Sequence, residues 1–85
     1  MDRIIEKKFV LQSTNGLHAS LAAKLVQLTN RFDALIDLIY HDQVVDAKSI
    51  LGLMSLAIPR GENVEVQIVG PDAENALEEI EKLLG

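Results

Sequence analysis

His18 is the side chain in this sequence best placed to do chemistry. It follows the turn signal Asn15-Gly16-Leu17 and leads into Ala19-Ser20-Leu21-Ala22-Ala23, where an amphipathic helical pattern begins. That spacing predicts an imidazole at or beside a helix N-terminus. Backbone N–H groups there lack intrahelical acceptors, and the helix end carries a partial positive charge. Such an end disfavours the protonated ring and favours an anion held on or near it, which suits a nitrogen that accepts a phosphoryl group. The competing reading is a surface polar residue at a loop-to-helix junction, and both stand on this stretch alone. Ser49, in Lys48-Ser49-Ile50, is the second candidate, at the expected N-terminus of a short helix. On the residues alone it reads as a plain N-cap. His41 falls in a hairpin turn and reads as surface. Paired with Asp42 or Asp46 it has too few ligands for a metal, so no metal and no cofactor are expected.

The bulk properties restrict the function class. With 85 residues, residues 1–85 are read as one domain with one core. Hydrophobic residues make up 48% and aromatics only 4%, so that core is built from Leu, Ile, Val and Ala. There is no cysteine, which removes disulfide and thiolate chemistry. The net charge of −5 argues against nucleic acid as a partner. Much of the negative charge lies between Asp72 and Glu81, where it reads as the solvated face of a helix. No run reaches the roughly 18 apolar residues of a membrane helix, and Met1 to Lys8 lacks an apolar leader, so a cytoplasmic location with no membrane partner is expected.

The elements that must position His18 and Ser49 follow from periodicity. Ile4 to Leu11 is rich in β-branched and aromatic residues and reads as a strand. Leu21, Ala22, Leu25, Val26 and Leu28 recur at helical spacing between Ala19 and Asn30, and Asn30-Arg31 suits the helix end. Ala34 to Tyr40 is apolar enough for a mostly buried strand; His41-Asp42-Gln43 turns it into a return strand at Val44-Val45. Lys48 to Leu56 forms a short helix, Pro59 to Asn63 a turn, and Val64 to Val69 a strand with clear alternation. Gly70-Pro71-Asp72 opens the last helix, with an apolar stripe of Ala73, Ala76, Leu77, Ile80, Leu83 and Leu84. The order βαββαβα predicts an α+β two-layer open-faced sandwich, a four-stranded antiparallel sheet with three helices on one face.

Two segments together carry a family resemblance. Gly16-Leu17-His18-Ala19 with its helix, and Lys48-Ser49-Ile50-Leu51-Gly52-Leu53-Met54-Ser55-Leu56, resemble the two signature regions of HPr, the histidine phosphocarrier family of the sugar phosphotransferase system. The similarity runs over essentially the whole chain, and the second segment is similar to the form of low-GC Gram-positive bacteria. The resemblance implies that His18 takes a phosphoryl group from enzyme I and passes it to an enzyme IIA. It further implies that Ser49 is a regulatory phosphorylation site, with an HPr kinase/phosphorylase and a catabolite-control transcription regulator as partners. Leu17, Ile50, Leu51, Met54 and Ile58 match apolar positions of the family's docking surface around the histidine.

The sequence departs from the family where charge matters. The motif's arginine and proline, two and three positions after the histidine, are Ser20 and Leu21 here. A serine offers one hydroxyl and no positive charge, and charge-assisted hydrogen bonds are roughly twice as strong as neutral ones. Lys24, one turn beyond Ser20, is the candidate to compensate. The leading expectation is thus a phosphocarrier, not a self-contained enzyme, since no second acid, base or metal cluster accompanies His18. The first alternative is a regulatory interaction module of the same fold, controlled through Ser49, with weak or no transfer through His18. The second is a small-molecule-binding domain with a pocket at a sheet edge.

Overall fold

Alternation of period two and stripes of period 3.6 set the layers. In the computed structural model, which describes residues 3–85, the elements run β1 (Arg3–Val10), α1 (Ala19–Thr29), β2 (Leu35–Tyr40), β3 (Gln43–Asp46), α2 (Ile50–Leu56), β4 (Asn63–Gly70) and α3 (Ala73–Leu84). The expected α+β sandwich and its βαββαβα order are observed. The sheet order is β1-β4-β2-β3 with every neighbouring pair antiparallel. The best-alternating strand therefore lies inside the sheet, paired on both sides: Ile68 faces Ile5 and Ile36, and Val66 faces Lys7 and Leu38.

Val64, Val66 and Ile68 of β4, with Ile36 and Leu38 of β2, point to the helical layer and are buried. They meet Leu21, Ala22 and Leu25 of α1, Leu53 and Leu56 of α2, and Ala73, Ala76, Ile80 and Leu84 of α3. The other face of the sheet carries Ile4, Leu35 and Val44, which remain exposed. β2 thus differs from the mostly buried strand expected of it: helices cover one side only, so alternate residues reach solvent.

Two element starts also differ from the sequence reading. Pro71 precedes the last helix rather than sitting in its first turn, and Asp72 is the N-cap residue. The Asp72 carboxylate does not cap that helix; it accepts the Asp33 N–H at 2.7 Å, tying the two loops together. The second helix begins at Ile50, after Lys48, because Ser49 caps it. The reading of the N-terminus as free of an apolar leader falls partly on Met1 and Asp2, outside the described residues. No helix among the described residues is long and apolar enough to cross a membrane.

One buried polar residue joins the helical layer to the sheet. The Thr29 hydroxyl, at the end of α1, donates to the Ala47 carbonyl at 2.8 Å in the β3–α2 loop. The residue is fully buried, so this bond removes what would be a desolvated carbonyl.

Candidate functional site

The loop between β1 and α1 is held against the loop between α2 and β4 by backbone hydrogen bonds. Leu17 N–H donates to the Ile58 carbonyl at 2.8 Å, Leu11 N–H to Glu62 at 3.0 Å, and Gly61 N–H to Leu11 at 2.9 Å. The fit at Gly16 is tighter than any turn signal reveals. Its φ is +68°, and a Cβ there would lie 2.2 Å from the Ile58 carbonyl oxygen and 2.9 Å from the Arg60 nitrogen. Only glycine allows two backbones to approach this closely in this conformation.

This contact delivers His18 to the end of α1. The residue is the N-cap, in extended conformation, and its carbonyl accepts the first intrahelical bond from Ala22 N–H at 2.8 Å. Its imidazole Nδ1 accepts from the Leu21 N–H at 3.4 Å. An Nδ1 that accepts has its lone pair on that atom and the ring proton on Nε2. The bond is longer than a strong N–H donor contact, so displacing it costs little. The ring is half-buried, no acidic side chain occupies the first turn of α1, and Ser20, two residues further on, is exposed. A nucleophilic nitrogen thus stands against the N–H groups of a helix end with no carboxylate in that turn to compete.

The docking residues expected from the sequence divide. Ile50, Leu51 and Met54 are exposed, Leu51 at 80%, and together they give α2 an apolar outer face. Leu17 and Ile58 are corrected: they are 5% and 2% exposed and belong to the core. The Leu17–Ile58 backbone bond draws both loops inward, so their side chains fill the space between helix and sheet. Leu53 and Leu56 are buried as well, and α2 is therefore two-faced rather than apolar all round.

Lys24 lies further along α1. Six residues of helix put it about 9 Å along the axis from His18. Its side chain lines a groove between α1 and α3 with Gln27, Leu28, Arg31, Glu79, Lys82 and Leu83.

Ser49 is the N-cap of α2, its Oγ accepting the Gly52 N–H at 3.1 Å. α2 ends at Ala57, which holds a left-handed conformation (φ 48°, ψ 49°) immediately before Ile58. A non-glycine residue in that conformation costs roughly 1–2 kcal/mol. Nothing in the sequence announces this strain, because alanine is a poor residue for the role. His41 is exposed, as the hairpin reading expected. With Asp42 it supplies two successive left-handed residues (φ 48° and 58°), the ring stacks on Tyr40, and Nε2 lies 3.7 Å from Glu62. The Tyr40 hydroxyl donates to the same carboxylate at 2.8 Å, and this hydrogen bond raises the Tyr40 pKa.

Comparison with known proteins agrees with this geometry. Residues 5–85 match the family model for the PTS HPr component phosphorylation site. The phosphocarrier protein HPr of Treponema pallidum (strain Nichols) is 44% identical over 68 residues, 80% of this chain and 77% of the relative. The crystal structure of a phosphocarrier protein HPr from Bacillus anthracis superposes with a TM-score of 0.93 at 40% identity, covering 96% of this chain and 98% of the other. Crh, the catabolite repression HPr of Bacillus subtilis, superposes with a TM-score of 0.69 at 38% identity, covering 94% and 95%.

Proposed function

The chain belongs to the HPr family of phosphotransferase-system phosphocarriers, and on that premise we propose that His18 is its phosphoryl acceptor, through Nδ1. The observation that carries this reading is the Nδ1 lone pair turned toward the Leu21 N–H at the start of α1. In the transfer from phosphorylated enzyme I, the Nδ1 lone pair attacks phosphorus while the bond to the donor breaks. The phosphoryl oxygens then occupy the place where first-turn N–H groups have no intrahelical acceptor. The imidazole proton stays on Nε2, so the phosphorylated ring is cationic and the phosphoryl group remains a good leaving group for an enzyme IIA. The protein supplies position and electrostatics, and its partners supply the rest of the machinery. The whole chain acts as a single unit in the cytoplasm.

Docking uses the exposed α2 face of Ile50, Leu51 and Met54. Ser49 heads the same helix, so a phosphate there sits beside the docking face without any change of fold. A kinase/phosphorylase adding that phosphate would lower the encounter rate with enzyme I by like-charge repulsion. A second reading is favoured by one specific observation, Ser20 in place of the family's arginine, together with the likeness to Crh. In that reading the chain is a regulatory module that binds a catabolite-control transcription regulator through Ser49 and transfers phosphate poorly.

Incubation with phosphoenolpyruvate and enzyme I decides between them. The carrier reading expects one acid-labile phosphoryl group, absent from His18→Ala, passed on to enzyme IIA and formed faster in Ser20→Arg. A wild type that stays unlabelled on prolonged incubation, while binding the regulator once Ser49 is phosphorylated, establishes the second reading instead.

A further inference from the structure

The oxygens of a phosphoryl group on His18 carry about −1.5 to −2 units of charge, only partly offset by the cationic ring, on a protein whose net charge is already −5. Helix-end N–H groups contribute only partial charges. The geometry points to Arg60 as the cation that faces the transferred phosphoryl group, a role on the opposite loop from the one where sequence comparison looks for it. This inference rests on His18 being the acceptor.

The backbone carries the argument. Arg60 and Gly61 form the turn after α2, with Gly61 at φ +88° and its N–H bonded to Leu11. The Arg60 nitrogen lies against Gly16, only 2.9 Å from where a Cβ on that glycine would be. His18 is two residues from Gly16, at most about 7 Å along the chain. The segment is shorter than that, because the His18 N–H folds back to donate to the Gly16 carbonyl at 3.1 Å. The side chain of an arginine rooted here is long enough to reach the His18 ring.

Arg60 is also uncommitted. It is exposed, and among the described residues it has no ion pair. The other cations are placed elsewhere. Lys7 pairs with Glu81, Lys82 with Glu78 and Glu79, and Lys48 donates to the Phe32 carbonyl. Arg31 sits over Phe32 and Lys24 lines the α1–α3 groove. Lys8 pairs in register with Glu65 on the uncovered sheet face, and Arg3 begins β1 at the end remote from the site. A guanidinium fork also fits phosphoryl oxygens bidentately, which the Ser20 hydroxyl cannot do.

The test compares wild type, Arg60→Ala and Arg60→Lys, each in the full chain. Phosphoramidate first labels the protein chemically, without enzyme I, and the label is mapped. Single-turnover transfer from phosphorylated enzyme I is then measured as a function of enzyme I concentration. We expect Arg60→Ala to lower the saturating rate about tenfold, as for loss of one charged hydrogen bond, with the half-saturating concentration little changed. Arg60→Lys should recover to within about threefold of wild type, with all three proteins melting together. If His18 is labelled but the saturating rate of Arg60→Ala stays within twofold of wild type, the Arg60 role is overturned while the acceptor reading survives. A loss confined to the half-saturating concentration makes Arg60 a docking residue, and a loss that tracks a lowered melting temperature makes it structural; either overturns the inference. A wild type not labelled at His18 overturns both.

Discussion

Replacing Gly16 with alanine tests whether the site is held by contact between two backbones. Two costs add at this position. An L-residue at φ +68° loses roughly 1–2 kcal/mol to left-handed strain, partly offset by a stiffer unfolded chain. The second cost is steric: the new Cβ would meet the Ile58 carbonyl oxygen at 2.2 Å, so the loops must separate. Separation weakens the Leu17–Ile58 hydrogen bond, worth about 1 kcal/mol, and loosens two buried side chains. The total is about 3 kcal/mol, which lowers the melting temperature of a domain this size by roughly 12–24 °C. Gly61→Ala is the internal control. Its φ is also positive, at +88°, but nothing lies within 4 Å of its Cβ position, so only the strain of about 1 kcal/mol remains. The assay is thermal denaturation by circular dichroism, with His18 labelling measured well below the transition. Gly16→Ala should lose more stability than Gly61→Ala by about 2 kcal/mol, and should label more slowly even when folded. Equal destabilisation of the two variants refutes the claim that the Gly16–Ile58 approach positions the histidine.

Other perturbations read separate parts of the fold. Leu51→Glu, at an 80% exposed position, should change stability by no more than about 0.5 kcal/mol yet weaken enzyme I binding roughly tenfold; an unfolded variant would make Leu51 core. Thr29→Val removes the donor from the buried Ala47 carbonyl and should cost about 1–2 kcal/mol in a denaturant titration, whereas an unchanged midpoint would mean that carbonyl finds another partner. Burial, and then Asp46 directly across the β2–β3 pair, raises the Asp37 carboxyl above its ordinary 3.8. A raised carboxyl pKa means that the fold prefers the protonated form. Its favourable contribution is complete below pH 3.8 and is lost as pH rises through the folded value. Asp37→Asn should therefore raise the melting temperature at pH 7 and not at pH 3; a gain of equal size at both pH values contradicts the charge argument.

The architecture was legible because its signals are periodic. Val64, Val66 and Ile68 alternate and are buried; the α3 stripe from Ala73 to Leu84 faces the sheet as its spacing requires. His18 at the head of α1 and Ser49 at the head of α2 were equally legible, since turn and capping residues act locally. What escaped the sequence is set by contacts between distant segments. Leu17 and Ile58 looked like surface beside the site until the bond between their backbones drew them into the core. Lys24 is near Ser20 along the helix, but its place in the α1–α3 groove depends on where α3 packs. The exposed side of β2 depends on helices covering one face of the sheet, which an apolar run cannot express. Thr29 carries no pattern at all, since its partner lies 18 residues further along the chain.

In the proposed carrier, the N–H groups at the start of α1 hold a phosphoryl group on Nδ1 of His18. Nitrogen correlation spectra of the uniformly 15N-labelled chain, covering the histidine rings and the backbone amides before and after phosphorylation, test this. Of the two histidines only His18 should change, with the new 15N–31P coupling at Nδ1 and the proton kept on Nε2, and the Leu21 amide should shift as its acceptor changes from the ring to a phosphoryl oxygen. Coupling at Nε2, or at His41, contradicts it.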